Sequence, residues 1–230
     1  MHRLRLRKNQ GENMRHIALS ALLGLTSLGA AAQPAADMAQ LAQRLEGTIY
    51  VVPHRESADG SLTACGLEFG ALKRDFSTMK GAPVKLVGSF YLRPHSVTGL
   101  AYMLKVGIFD GLGYTNGFAP ANAFIRGPNS RAPKKAIRHE AENKGFALFV
   151  GALDDEVIAA YAGIAEKKQL FVGFNRKPGQ QDVIFNLDLT VIDTEMGSDG
   201  QPIRKRTNAA VDEFLACSDD LMKTPSAKIK

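Results

Sequence analysis

Tryptophan is absent from the 230 residues, cysteine occurs twice and histidine five times. Cys65 and Cys217 lie far apart, so they form neither a C-x-x-C redox pair nor the close four-ligand set of a structural zinc site. No H-E-x-x-H or H-x-H occurs, and His54, His95 and His139 each neighbour a loop pattern, which reads as solvated histidine rather than a metal site. The G-x-S-x-G turn of a nucleophile elbow is missing too. Ser89, within Val87-Gly88-Ser89-Phe90-Tyr91, takes an outward polar position of an alternating strand. A dispersed Ser/His/Asp triad leaves no spacing signature, and nothing here raises one. No catalytic residue, metal or cofactor is therefore assigned, and the chain reads as non-enzymatic.

Long apolar runs are equally scarce. One run, at 17–28, is too short to span a bilayer and follows a basic segment containing Arg3, Arg5, Arg7, Lys8 and Arg15. Ala30-Ala31-Ala32 then precedes Gln33-Pro34, so residues 1–32 read as a signal peptide, with Met14 an alternative start. No cysteine follows the run and no twin arginine precedes it, which points to ordinary export without a lipid anchor. The expected location is periplasmic or secreted, with no membrane span once the leader is removed.

The formal charge of +6, from 29 basic and 23 acidic residues, shrinks with the leader. Setting aside its five basic residues and Glu12 leaves 24 against 22, or +2. Nucleic-acid binding loses its electrostatic basis, because phosphate contacts need a concentrated basic surface. In an oxidising compartment, one cysteine pair reads as a structural disulfide between Cys65 and Cys217.

Residues 35–46 have a helical period through Met38, Leu41, Ala42 and Leu45, with Gly47 placed for a C-terminal cap. A β-branched strand follows at 48–52, closed by Pro53. The stretch around Cys65 puts Cys65, Leu67 and Phe69 on one side of a strand. Two long alternating runs, 84–93 and 100–109, flank Pro94-His95-Ser96 and predict an antiparallel hairpin. Regular pattern largely fails over 110–144, apart from a short possible strand at 118–125. Strand 146–150 follows, then a helix capped by Asp154 and ending near Lys167, whose apolar face is Val157, Ile158, Tyr161, Ile164 and Ala165. A second hairpin joins 170–174 to 183–192 through Pro178-Gly179. Thr207 or Asn208 caps a last helix with Val211, Phe214, Leu215, Leu221 and Met222 as its buried stripe, and Cys217 on that stripe's flank.

Gly111-x-Gly113-x-x-x-Gly117 follows a strand, but no helix follows it, so it reads as a turn rather than a phosphate cradle. Asp193, Glu195 and Asp199 alternate as calcium ligands do, yet the closing bidentate position of an EF-hand is missing, and a solvated turn is the reading. The cluster Arg126, Arg131, Lys134, Lys135 and Arg138 is followed by Glu140 and Glu142, which balance it.

These patterns predict one mainly β domain (β-rich α+β) over 33–230. It is an antiparallel sandwich or strongly curved sheet with two or three peripheral helices, the C-terminal helix tied to the sheet by the disulfide. The functional expectation is a non-catalytic binding or assembly module of the bacterial cell envelope, its partner an envelope protein or ligand of unknown identity. Contacts are expected from the 110–138 loop through Tyr114, Asn116, Phe118 and Arg126, because aromatics beside glycines on a long loop present a recognition surface. The alternatives are an envelope hydrolase with dispersed His and Asp residues, or a structural subunit assembling by β-strand pairing.

Overall fold

The computed structural model describes residues 32–96, 99–115, 117–129 and 136–223. The leader up to residue 31, together with Asn116, Arg131, Lys134 and Lys135, lies outside them. The described chain runs α1 (Ala32–Leu45), β1 (Gly47–Ala58), β2 (Ser61–Asp75), β3 (Ala82–His95), β4 (Gly99–Asp110), β5 (Gly117–Phe118), β6 (Asn122–Arg126), β7 (Ile137–Glu140) and β8 (Phe146–Ala152). It continues as α2 (Asp155–Lys167), β9 (Gln169–Asn175), β10 (Val183–Asp188), β11 (Val191–Met196), β12 (Pro202–Arg206) and α3 (Ala209–Lys223).

Three long strands, β2, β3 and β4, form the centre of a seven-stranded antiparallel sheet in the order β1-β2-β3-β4-β8-β7, with β5 pairing β4. A three-stranded sheet, β10-β9-β6, lies over one face of it, and β11-β12 form a separate hairpin. The β10 flank approaches β1 and β2, whereas the β6 flank approaches β4 and β8, so the small sheet closes over the inner face from both sides. The mainly β architecture with three helices is as the alternation patterns predict.

The inner face of the large sheet is apolar at alternate positions through its centre. Cys65, Leu67, Phe69, Leu86, Phe90, Leu104 and Val106 are fully buried and share one core with Leu170, Val172, Phe174 and Phe185 of the small sheet. Helix α3 packs across β1 and β2, where Phe214 meets Phe90 at 6.0 Å and Tyr161 of α2 at 5.8 Å between ring centroids. The disulfide Cys65–Cys217 joins this helix to β2, with α-carbons 5.7 Å apart and its ends 152 positions apart in sequence. Helix α2 begins as its sequence predicts: the Asp154 carboxylate accepts from the Val157 amide at 3.0 Å.

Several local expectations change. Pro53 does not close the first strand; β1 runs through it to Ala58, paired to Leu67, which an edge strand tolerates because one side of its ladder is open. The segment 118–125 divides between two sheets, β5 on β4 and β6 on β9, with Pro120 in the break. The strand read at 183–192 bends at Leu189-Thr190, where the Asp188 carboxylate takes both the Thr190 amide (3.0 Å) and its hydroxyl (2.7 Å). The chain thereby leaves the small sheet and begins the β11–β12 hairpin. Ile158, Met222 and Met38 are about half exposed, since Ala160 and Gly163 complete the buried face of α2 and Ser218 that of α3. Small residues let these helices approach their sheets closely, which a hydropathy period does not register.

Candidate interaction surface

The sheet that builds the core has a second face. Residues of opposite parity point away from the core: Tyr50, Val52, His54 and Glu56 on β1, Glu68 on β2, and Val87, Ser89, Tyr91 and Arg93 on β3. Met103, Lys105 and Phe109 on β4 and Phe146, Leu148 and Val150 on β8 continue the face. Among the described residues no helix or sheet covers it. Its apolar side chains Tyr50, Val87, Tyr91, Met103, Phe146, Leu148 and Val150 are half-buried and Val52 is exposed. An uncovered sheet face is ordinarily polar in clean alternation. This one is largely aromatic and aliphatic.

Glycines explain how the rings sit close against the sheet. At Gly66 an added Cβ would stand 2.3 Å from the Tyr91 ring, at Gly70 2.4 Å from that of Tyr50, and at Gly107 2.7 Å from that of Phe146. Each ring therefore lies down on the backbone of the neighbouring strand, filling the space a side chain would take. Packed this way, the rings shield the sheet's hydrogen bonds and leave their outer surfaces available.

Polar groups are set among the rings as a small network. The Tyr91 hydroxyl donates to Glu68 Oε1 at 3.2 Å, and His54 stands 5.3 Å edge-on to the Tyr91 ring. Burial, then the Glu68 carboxylate, pushes the Tyr91 phenol well above its usual range. Burial does the same for Tyr50, with smaller contributions from Tyr114 and Glu68. Arg93 donates to Glu56 at 3.0 Å, and Lys105 Nζ to Asn143 at 2.7 Å. Both tyrosines thus remain neutral donors through the physiological range.

At one end of the face the 111–115 turn folds back over the sheet. Lys85, only 6% exposed, holds its ammonium 3.7 Å from the centroid of the Tyr114 ring, and burial lowers its pKa. Tyr114 meets Phe109 edge-on at 5.4 Å, and Phe109 meets Phe146 at 5.9 Å. With 62% of its surface exposed, Tyr114 is the most open ring of this corner.

Phe118 and Arg126, also singled out by sequence, do not join it. Phe118 packs against the core under the Arg176 guanidinium, 4.7 Å from its ring centroid. Arg176 in turn donates to both oxygens of Asp110, at 2.7 and 3.1 Å, and to the Thr78 hydroxyl. Arg126 lies on the small sheet with its guanidinium over Phe171 at 5.6 Å. The 110–126 stretch thus sends Tyr114 to the outer face while Phe118 and Arg126 serve packing on the small-sheet side. The face itself escaped the sequence reading because Gly66, Gly70 and Gly107 look like gaps in a strand pattern. Glycine opposite an aromatic at cross-strand register was the available signal.

His54 lies 3.7 Å from Glu68 and 3.8 Å from Glu56, ion-pair separations on an open surface rather than hydrogen bonds within a cleft. Neither of two described cavities includes it: one of about 200 Å³ lies between Glu46, Lys73 and Asn186, and one of about 290 Å³ lies between Pro128 and Ala162. His139 is exposed on β7. Asp193 and Glu195 are turned to Lys205, Asp199 accepts from the Gln201 amide, and no cluster of three metal-ligating side chains occurs among the described residues. The edges formed by β7 (Ile137–Glu140) and β12 (Pro202–Arg206) are short and rich in charge, features that discourage strand addition.

The geometry defines a disulfide-closed antiparallel β domain with an apolar sheet face that no described helix or sheet covers. Compared with known proteins, the chain matches no family description, and neither a curated sequence nor a solved structure is significantly similar to it.

Proposed function

We propose that the chain is an exported, non-catalytic binding or assembly module of the bacterial cell envelope whose working surface is the outer face of the large sheet. The carrying observation is the apolar face itself, with the Tyr50, Tyr91 and Phe146 rings laid flat on Gly70, Gly66 and Gly107. Apolar surface rimmed by polar groups has the composition of a protein–protein contact, where aromatic and methionine side chains are enriched. The Glu68 and Arg93 charges supply orientation, and Tyr114 extends the contact at one corner. Export rests on the leader pattern, and the disulfide is compatible with an oxidising compartment.

The test is site-specific photo-cross-linking in cells. A photoreactive amino acid at 52 or 148, on the face, is expected to trap a polypeptide. The same group at 158 or 203, exposed positions elsewhere, is expected to trap none. Equal trapping at all four, or none from the face, overturns the reading.

A further inference from the structure

We infer that one end of the large sheet docks on an anionic lipid surface. Phe76 enters the headgroup layer there, and lysines of neighbouring loops meet the lipid phosphates. This end is separate from the sheet's outer face, so the inference goes beyond the proposed polypeptide contact.

Antiparallel order gathers the loops concerned. Strands β2 and β4 finish at this end, and β3 and β8 begin there. The Gly111 amide donates to the Pro83 carbonyl at 2.8 Å, which sets the 111–115 turn beside the start of β3. Arg176 ties the loop between β9 and β10 to Thr78 and Asp110. The 76–81, 111–115, 141–145 and 176–182 loops therefore share one end of the fold.

At 69% exposed, Phe76 is the most open large apolar side chain among the described residues. Its turn is well bonded. Asp75 Oδ1 accepts from the Ser77 amide at 2.8 Å and the Thr78 amide at 3.1 Å. The Asp75 carbonyl accepts from the Gly81 amide at 2.8 Å. Gly81, at φ 85°, lets the Phe76 ring lie close, since an added Cβ would stand 2.7 Å from that ring. Met79 of the same turn packs on the core, which leaves Phe76 as the apolar group presented outward. Arg74 holds its guanidinium 5.4 Å from the Phe76 ring centroid. An exposed ring on a fixed tip, set among cations, has the composition of an interfacial anchor.

Charge names the occupant. Lys80, Lys144 and Lys177 are exposed on three of the four loops and make no ion pair among the described residues. Most carboxylates beside them are engaged: Arg176 clamps Asp110 and faces Asp75, and Arg74 bonds Glu46. Glu142 and Asp182 are the exposed ones, and Lys85 and Lys105 keep the balance positive. The opposite end, where β1 turns into β2 and α2 begins, instead carries Asp59, Asp155 and Glu156. A molecule whose charge is separated along its strands turns the basic end to an anionic plane. From the β2–β3 turn to the loop before β8 is three strand spacings, roughly 14 Å. Neither described cavity holds these lysines, so they face a broad surface rather than one small anion.

Vesicle flotation tests the docking, with the disulfide-bonded protein at low salt. Phosphatidylcholine vesicles containing about a third phosphatidylglycerol are expected to carry the protein upward, whereas pure phosphatidylcholine is not. Salt at about 0.5 M is expected to release it, because screening then acts within a few ångströms. Phe76→Ser should weaken binding about tenfold, and Lys80→Glu/Lys144→Glu/Lys177→Glu at least about a hundredfold. Met222→Ser, at an exposed position on α3, should change nothing. Near-UV circular dichroism reports whether each variant is folded. The chain has no tryptophan, so Phe76→Trp places a single reporter at the tip. Its emission is expected to shift to the blue on the anionic vesicles and to be quenched by brominated acyl chains. Equal flotation with both vesicle types, full binding by the folded triple variant, or an unshifted emission overturns the inference. Each of those results leaves the outer-face contact standing, because none of the substituted residues lies on that face.

Discussion

Reducing the Cys65–Cys217 bond isolates the cross-link from its packing, because both sulfurs remain in place between β2 and α3. The bond closes 152 residues, and the chain-entropy relation gives about 17 cal/mol/K for a loop of that length, or ~5 kcal/mol at 25 °C. Measured disulfides more often return about 2–4 kcal/mol, so a loss of about 3–5 kcal/mol is expected. Urea unfolding monitored by far-UV circular dichroism, with and without reductant, reads it directly. With a slope of about 2 kcal/mol/M, the midpoint should fall by roughly 1.5–2.5 M, and the slope itself should rise as the unfolded chain expands. Replacing the pair by alanine should cost about 1 kcal/mol more, since Cys65 is fully buried and the sulfur volume is lost. An unchanged midpoint, with both thiols shown to be reduced, would refute the view that α3 is held to the sheet by this bond.

Arg176→Ala removes the clamp on Asp110 and Thr78 and leaves the nearly inaccessible Asp75 without its neighbouring cation; thermal unfolding should report a loss of about 3 kcal/mol. Tyr102, 1% exposed, has a hydroxyl with no hydrogen-bond partner among the described residues, so Tyr102→Phe should leave neutral-pH stability unchanged or raise it by about 1 kcal/mol. Burial, then Asp154, pushes the Tyr102 phenol up to about 12. The unfolded chain therefore releases that proton first, near pH ~10, and stability is lost as pH rises from there through the folded value. Unfolding free energies measured from pH 9 to 12 should fall less in the phenylalanine variant, by about 2–3 kcal/mol. Gly70→Val would drive a side chain into the Tyr50 ring, whose carbon lies 2.4 Å from the new Cβ, and calorimetry should show a cost of about 1–3 kcal/mol.

What the sequence made legible divides along physical lines. The β3–β4 hairpin followed from strict alternation over ten residues on each side of Pro94, because a strand's period survives wherever one face is apolar. The Asp154 cap followed from chemistry local to a few residues, and the Cys65–Cys217 pairing from the sequence holding just two cysteines behind an export leader pattern. Pro53 and Pro120 misled in opposite ways: one lies inside an edge strand and the other divides two sheets, a difference fixed by neighbours remote in sequence. The outer face was hidden for the same reason. Its rings are spaced by glycines on other strands, so Tyr91 over Gly66 becomes a feature only once register is known. Tyr114 was singled out beside Phe118 for their shared glycine-rich loop, but the fold sends them to different surfaces.

The most direct measurement is hydroxyl-radical footprinting of the protein in its native compartment, compared with the same protein purified at nanomolar concentration. Tyr91, Met103 and Phe146, on the sheet's outer face, are expected to be several-fold protected in the native compartment, while Met196 and Met222, exposed elsewhere, react equally in both. Equal reactivity at Tyr91, Met103 and Phe146 in the two samples would contradict the claim that this face is covered when the protein works.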